Sequence, residues 1–156
     1  MTTIVLVDTS VLLNILNVPA FNQRHKALFQ EFTLRLASGE TLLLPLAAVF
    51  ETGNHIAQLA DGGERRRYAG IFASTVKDAI NGEAPWTPMG FPDPTDIADW
   101  MDEFPDHAMR ELGMADVSVI KDWERTCRQN PRARVLIWSI DNDLAGFDHD
   151  GRLRRK

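Results

Sequence analysis

The chain has a single cysteine, Cys127, in 156 residues. That excludes an internal disulfide framework and a cysteine-based zinc cluster, and the place of Cys127 in an apolar helical stripe marks a packed thiol rather than a nucleophile. Histidine is equally uninformative. His25, His55, His107 and His149 form no H-x-x-x-H pair and have no companion cysteine, so they spell no zinc site. No G-x-S-x-G elbow and no G-x-x-x-x-G-K-S/T loop occurs, which leaves serine hydrolysis and nucleoside triphosphate chemistry without support. Long apolar runs are missing too. The first one, Ile4 to Val7, stops after four residues and follows no basic segment, so it is neither a signal peptide nor a membrane span. A soluble, cytoplasmic protein is expected.

An excess of positive charge is also lacking. The net charge of −5 argues against broad nonspecific affinity for nucleic acid. The charge is unevenly spread, however, because residues 121 to 156 carry nine of the 17 Lys and Arg against six of the 22 acids. A basic strip is therefore expected near the end of the chain, formed by Arg125, Arg128, Arg132, Arg134 and the run Arg152 to Lys156, with Arg65 to Arg67 as a second patch.

What the chain does have is alternation of strand and helix patterns. Ile4 to Val7, Thr41 to Leu44 and Arg134 to Ile140 read as buried strands, and Trp86 to Met89 as a possible short one. Helical spacing predicts helices over Val11 to Leu16, His25 to Ala37, Leu46 to about Leu59, Glu64 to Ile80 and Met114 to about Arg128. A further helix opens at Asp93-Pro94 and runs through Trp100 to Phe104. Such alternation implies an α/β fold, a central mostly parallel sheet of four or five strands covered on both faces, in one domain spanning residues 1–156. Residues 81 to 95 are its least regular part, with four of the eight prolines, inside a less typical helical and Pro-rich region at about 61–111. The four tryptophans read as core, with Trp86 the most exposed because of its loop setting.

Ligands of such sheets bind beyond the carboxyl ends of the strands, and two acids, Asp8 and Asp141, follow strands directly. Each can equally be a helix cap or turn residue. Asp116 is less easily explained away. At 100° per residue it shares the stripe of Leu112, Val119, Ile120, Trp123 and Cys127, so a charge faces the core and needs a cation, an arginine or a pocket. Glu51 lies within the first turns of a helix after the second strand, near the same edge as Asp8, although its neighbours Asn54, His55 and Gln58 suit a solvated face.

The order of these segments resembles the PIN-domain ribonuclease family, and most closely the VapC-like toxins of toxin–antitoxin pairs. Val5-Leu6-Val7-Asp8-Thr9-Ser10 is similar to the family's first strand and its Asp-x-Ser/Asn turn. Pro45 with Glu51, Gly113-Met114-Ala115-Asp116, and Trp138-Ser139-Ile140-Asp141-Asn142-Asp143 are similar to its later motifs. The resemblance covers about residues 1 to 60 and 112 to 148. It implies a three-layer α/β/α fold and an acidic metal site of Asp8, Glu51, Asp116 and Asp141. Ser10 and Ser139 become supporting hydroxyls, and Asp143 an auxiliary acid. It also implies an RNA substrate, a cognate antitoxin and a homodimer.

All-oxygen ligands with no nearby histidine or thiolate suit Mg²⁺ or Mn²⁺. The expected activity is a metal-dependent endoribonuclease. The competing expectation is a non-catalytic module of the same fold whose acidic pocket holds a partner protein or RNA. An aspartyl phosphotransfer site fits less well, since Ser10 stands where an Asp-x-Asp motif has its second acid.

Overall fold

A computed structural model describes residues 2–153. The elements run β1 (Thr3–Val7), α1 (Thr9–Ile15), α2 (His25–Ala37), β2 (Thr41–Leu44), α3 (Leu46–Ala57), α4 (Gly62–Ile80), β3 (Trp86–Pro88), α5 (Pro94–Met109), α6 (Met114–Gln129), β4 (Arg134–Trp138) and β5 (Asp148–Asp150). The strand order is β3-β2-β1-β4-β5, parallel throughout except for the antiparallel pair β4 and β5.

Side chains alternate across a strand, and here both sets are buried. Val5 and Val7 join Leu42, Leu44, Leu136 and Trp138 in one apolar layer, closed by Val11 and Leu12 of α1 and Leu28 and Phe32 of α2. Ile4 and Leu6 join Val135 and Ile137 in the other, closed by Val119 and Ile120 of α6 and by Leu144. The result is the expected three-layer α/β/α arrangement with five strands.

The boundaries differ from the sequence pattern where local chemistry overrides periodicity. Helix α1 starts at Thr9 rather than Val11, because Asp8 is extended and its carbonyl already accepts from Val11 N–H at 3.1 Å and Leu12 N–H at 3.0 Å. At the start of α5, Asp93 and Asp96 each accept the other's backbone N–H, a reciprocal cap. That helix continues past Pro105 to Met109 in an exposed stretch, which tolerates the hydrogen bond proline omits. Trp86 is not exposed. It is buried on β3 and stacks on Phe32 at 5.0 Å, since the segment adds a strand to the sheet edge rather than forming a loop. Strand β5 is Asp-His-Asp and carries no apolar alternation. Pairing with β4 holds it there, together with the two-pronged contact of Arg134 on Asp148 at 3.0 and 2.6 Å.

Gly151 ends β5 against the start of β4, its N–H donating to the Ala133 carbonyl at 3.0 Å. A Cβ there would be driven into the Pro131 carbonyl. Gly151→Ala should lower stability by roughly 1–2 kcal/mol, because backbone must move to relieve the overlap. Urea unfolding measures this, and an unchanged midpoint would show that the segment yields freely.

Candidate active site

Parallel pairing sets Val7 opposite Trp138, which brings the next residues, Asp8 and Ser139, side by side at the carboxyl edge. Asp8 is buried, its N–H donating to the Trp138 carbonyl at 3.1 Å. Its carboxylate is held by two hydroxyls on one oxygen. Ser139 Oγ donates to Asp8 Oδ2 at 2.7 Å and Ser10 Oγ to the same oxygen at 2.9 Å. The two serine oxygens lie 3.2 Å apart, and each also accepts a backbone N–H, from Ile140 at 3.1 Å for Ser10 and from Asp141 at 2.9 Å for Ser139. This network fixes the orientation of Asp8 and ties the turn bearing Asp141 to it.

Glu51 and Asp116 reach the same edge from α3 and α6. Burial and the Asp8 charge push the Glu51 carboxyl above its ordinary value, with His55 and the Thr9 hydroxyl pulling back and Asp141 adding to the rise. Burial, then the charges of Glu51, Asp141 and Asp8, push Asp116 up to about 6, against a backbone hydrogen bond from Gly113. The four acids thus interact with one another although they come from four different parts of the chain. Among the described residues, no ion pair of a lysine or arginine involves any of them.

Asp116 does lie on the stripe that faces the sheet, yet it is only half-buried. It stands in the first turn of α6, beyond the strand ends, and so meets the other acids instead of the core. The acid that α6 does bury is Asp122, 3% exposed and bonded to Arg125 at 2.9 Å. Its signal is the stripe of small residues Ala115 and Ser118 that precedes it at helical spacing, on the flank of the apolar face. Asp143 is exposed, and its N–H donates to Asp141 Oδ1 at 2.9 Å, closing the turn.

The arginines of the expected basic strip lie elsewhere. Arg134 begins β4, paired in register with Thr3, so it and the preceding Arg132 stand at the amino edge of the sheet, opposite the acids. Arg125 and Arg128 are nine and twelve residues along α6 from Asp116, about 14 and 18 Å at 1.5 Å per residue. Arg125 and Arg134 are moreover engaged by Asp122 and Asp148. Arg65 donates to the Leu59 carbonyl at 2.6 Å and Arg67 lies over the Tyr68 ring. Arg154, Arg155 and Lys156 lie outside the described residues.

The donor set is all oxygen and mutually repelling, with Asp8 buried and Glu51 and Asp116 partly so, which is the chemistry that a hard divalent cation relieves. Among the described residues, no group of three or more His, Cys, Asp or Glu side chains is arranged to hold a metal ion directly. Mg²⁺ does not require one. It keeps several waters and is commonly bound by one or two carboxylates together with substrate phosphate, so the residues fit such an ion.

A three-layer α/β/α architecture with a mostly parallel sheet, entered by acids at its carboxyl edge, defines a PIN-like fold. The solved structure of VapBC2 from Rickettsia felis, bound to a DNA fragment from their promoter, shares that fold at a TM-score of 0.50 and 10% sequence identity, over 86% of this chain and 85% of the other. No protein-family model and no curated protein sequence matches the chain. Among the described residues no helix is long and apolar enough to cross a membrane.

Proposed function

We propose that the protein is a Mg²⁺- or Mn²⁺-dependent endoribonuclease that hydrolyses RNA phosphodiester bonds, and that it is the toxin of a toxin–antitoxin pair. The observation that carries this reading is the mutual repulsion of Asp8, Glu51, Asp116 and Asp141 at one sheet edge, with Asp116 pushed up to about 6. A protein keeps such a cluster against its own stability when a cation completes it. The VapBC2 fold supports the toxin assignment, since that protein is a toxin–antitoxin complex.

Asp8 and Asp116 would hold the ion. When bound, it supplies an acidified water for in-line attack and positive charge against the leaving oxygen, so hydrolysis needs no covalent intermediate. The chain's own groups do the rest. Ser10 and Ser139 keep Asp8 in one rotamer, through two hydrogen bonds to one carboxylate oxygen. Glu51, whose carboxyl burial pushes above its ordinary value, is placed to orient the attacking water and take its proton. Asp141 completes the negative charge that selects a divalent cation. A cognate antitoxin and a second copy of the chain are the proposed partners; Arg128 and Arg132, exposed at the far edge, are left for RNA contacts remote from the cut.

A second reading has one observation in its favour: among the described residues no three-ligand metal group is preformed. In that reading the acids receive a basic side chain of a partner and nothing is cleaved. Incubating labelled single-stranded RNA with Mg²⁺, Mn²⁺ or a chelator decides between them. Cleavage in the presence of either metal and none with chelator is expected; intact RNA under every condition would overturn the nuclease reading.

A further inference from the structure

Beside the acids, α3, the loop after β3, α5 and α6 enclose a groove of about 410 Å³. Its walls include the exposed rings of Phe50 and Phe91 and the buried ring of Trp100, and its polar groups are few: Asn54, Ser118 and Asp122, with Glu51 shared with the acidic site. Phe50 is 60% and Phe91 74% exposed, a large apolar area to leave in water without a ligand. Asp122 is the unusual member. It is 3% exposed, and its one ion pair, to Arg125, occupies only Oδ1.

We propose that this groove is the base-specificity pocket of the nuclease, taking one unpaired guanine next to the bond that is cut. Unpaired RNA bases are recognised by stacking on aromatic side chains and by hydrogen bonds to their Watson–Crick edges, and the groove offers both. An ionised carboxylate only accepts, and among the bases guanine presents two adjacent donors, N1–H and the N2 amino group, to the Oδ2 that Arg125 leaves open. Ser118 lies one helical turn before Asp122, and Asn54 one turn after Phe50, so a hydroxyl and an amide serve the remaining base atoms. Burial, against the pull of Arg125, pushes Asp122 up to about 6, which is still below neutral pH. Continuity supplies the last link. Glu51 follows Phe50 directly and reaches the acids, so a base in the groove sets its own phosphate near them.

The groove also gives a role to the Pro-rich segment and α5, which supply Phe91, Pro92, Ile97 and Trp100 to its walls, in the part of the chain where resemblance to PIN-domain proteins is weakest. It rests on the nuclease reading for the identity of the polymer. Neutral nucleosides test the groove independently, because they carry no phosphate to engage or be repelled by the acids. Titrating the isotope-labelled full chain with guanosine should shift the amide resonances of Phe50, Asn54, Ser118 and Asp122, with affinity about tenfold above that for adenosine or uridine. The isosteric Asp122→Asn should lose that preference, Ser118→Trp should block the groove, and Asp8→Asn should keep both binding and preference. Guanosine binding by a protein that leaves RNA intact would sink the nuclease reading and spare the pocket. Equal shifts with all nucleosides, no shifts, or shifts produced by raising protein concentration alone, as a second copy covering the groove would give, overturn the pocket.

Discussion

Asp8→Asn and Asp116→Asn should each lower the rate of RNA cleavage by about a thousandfold, the equivalent of roughly 4 kcal/mol in the barrier. Both changes keep the shape of the side chain and remove one negative charge. The amide introduced by Asp8→Asn keeps a carbonyl oxygen to accept from Ser10 and Ser139, so the fold should survive and circular dichroism should be unchanged. The serines should matter less. Ser10→Ala or Ser139→Ala removes one hydroxyl from Asp8 Oδ2 and leaves the other, a loss of about 10–100-fold for a group that orients a ligand rather than serving as one. The graded result is the diagnostic one. Loss of activity on serine removal as large as on Asp8 removal would move the chemistry away from the carboxylates, and full activity of Asp116→Asn would remove α6 from the site.

The same Asp116→Asn change should make the metal-free protein more stable. The folded-state value of about 6 lies above the ordinary 3.8, so between them the folded protein retains a proton that the unfolded chain has released. Stability on this account is undiminished below about pH 4, falls as pH rises toward 6, and stays reduced above it. A rise of that size corresponds to roughly 3 kcal/mol. Asp116 is half exposed and solvent screens much of its repulsion, so about 1 kcal/mol is the expected gain at neutral pH for Asp116→Asn. Divalent metal should reverse the order. Mn²⁺ at a hundred times its dissociation constant adds about 2.7 kcal/mol to the wild type and little to the variant. Thermal unfolding with and without Mn²⁺, at pH 5 and pH 7.5, measures both halves. A variant less stable than wild type in chelator would show that Asp116 is a structural carboxylate.

The framework of this fold is carried by patterns that a single sequence displays openly. β1, β2 and β4 are apolar runs because both of their faces are covered, and α2 and α6 keep helical spacing from end to end. Asp8 is visible for the same reason, as the first charge after a buried strand. What the pattern does not display is depth along a helix. Asp116 and Asp122 both lie toward the buried side of α6, but the first stands past the strand ends among other acids and the second further along the helix beside Arg125, at the wall of the groove. Helical angle is written in the sequence, whereas position relative to the sheet edge depends on how α6 is docked. The arginines stand away from the acids for a related reason. Parallel connections send α6 from the carboxyl edge back to the amino edge, so residues close in sequence to Asp116 end at the opposite side. β5 escapes the pattern because pairing and the Arg134–Asp148 contact, not apolar alternation, make it a strand.

Electron paramagnetic resonance of Mn²⁺ titrated into the purified chain reads metal binding by the acids on its own, since free and bound ion give separate signals and no substrate is needed. One or two ions should bind to the wild type, and Asp8→Asn and Asp116→Asn should each weaken that binding at least about tenfold, with Mg²⁺ competing for the same sites. An unbroken free-ion spectrum through the titration, or equal binding by all three proteins, would contradict the assignment of Asp8 and Asp116 as the ligands of an ion held among the four acids.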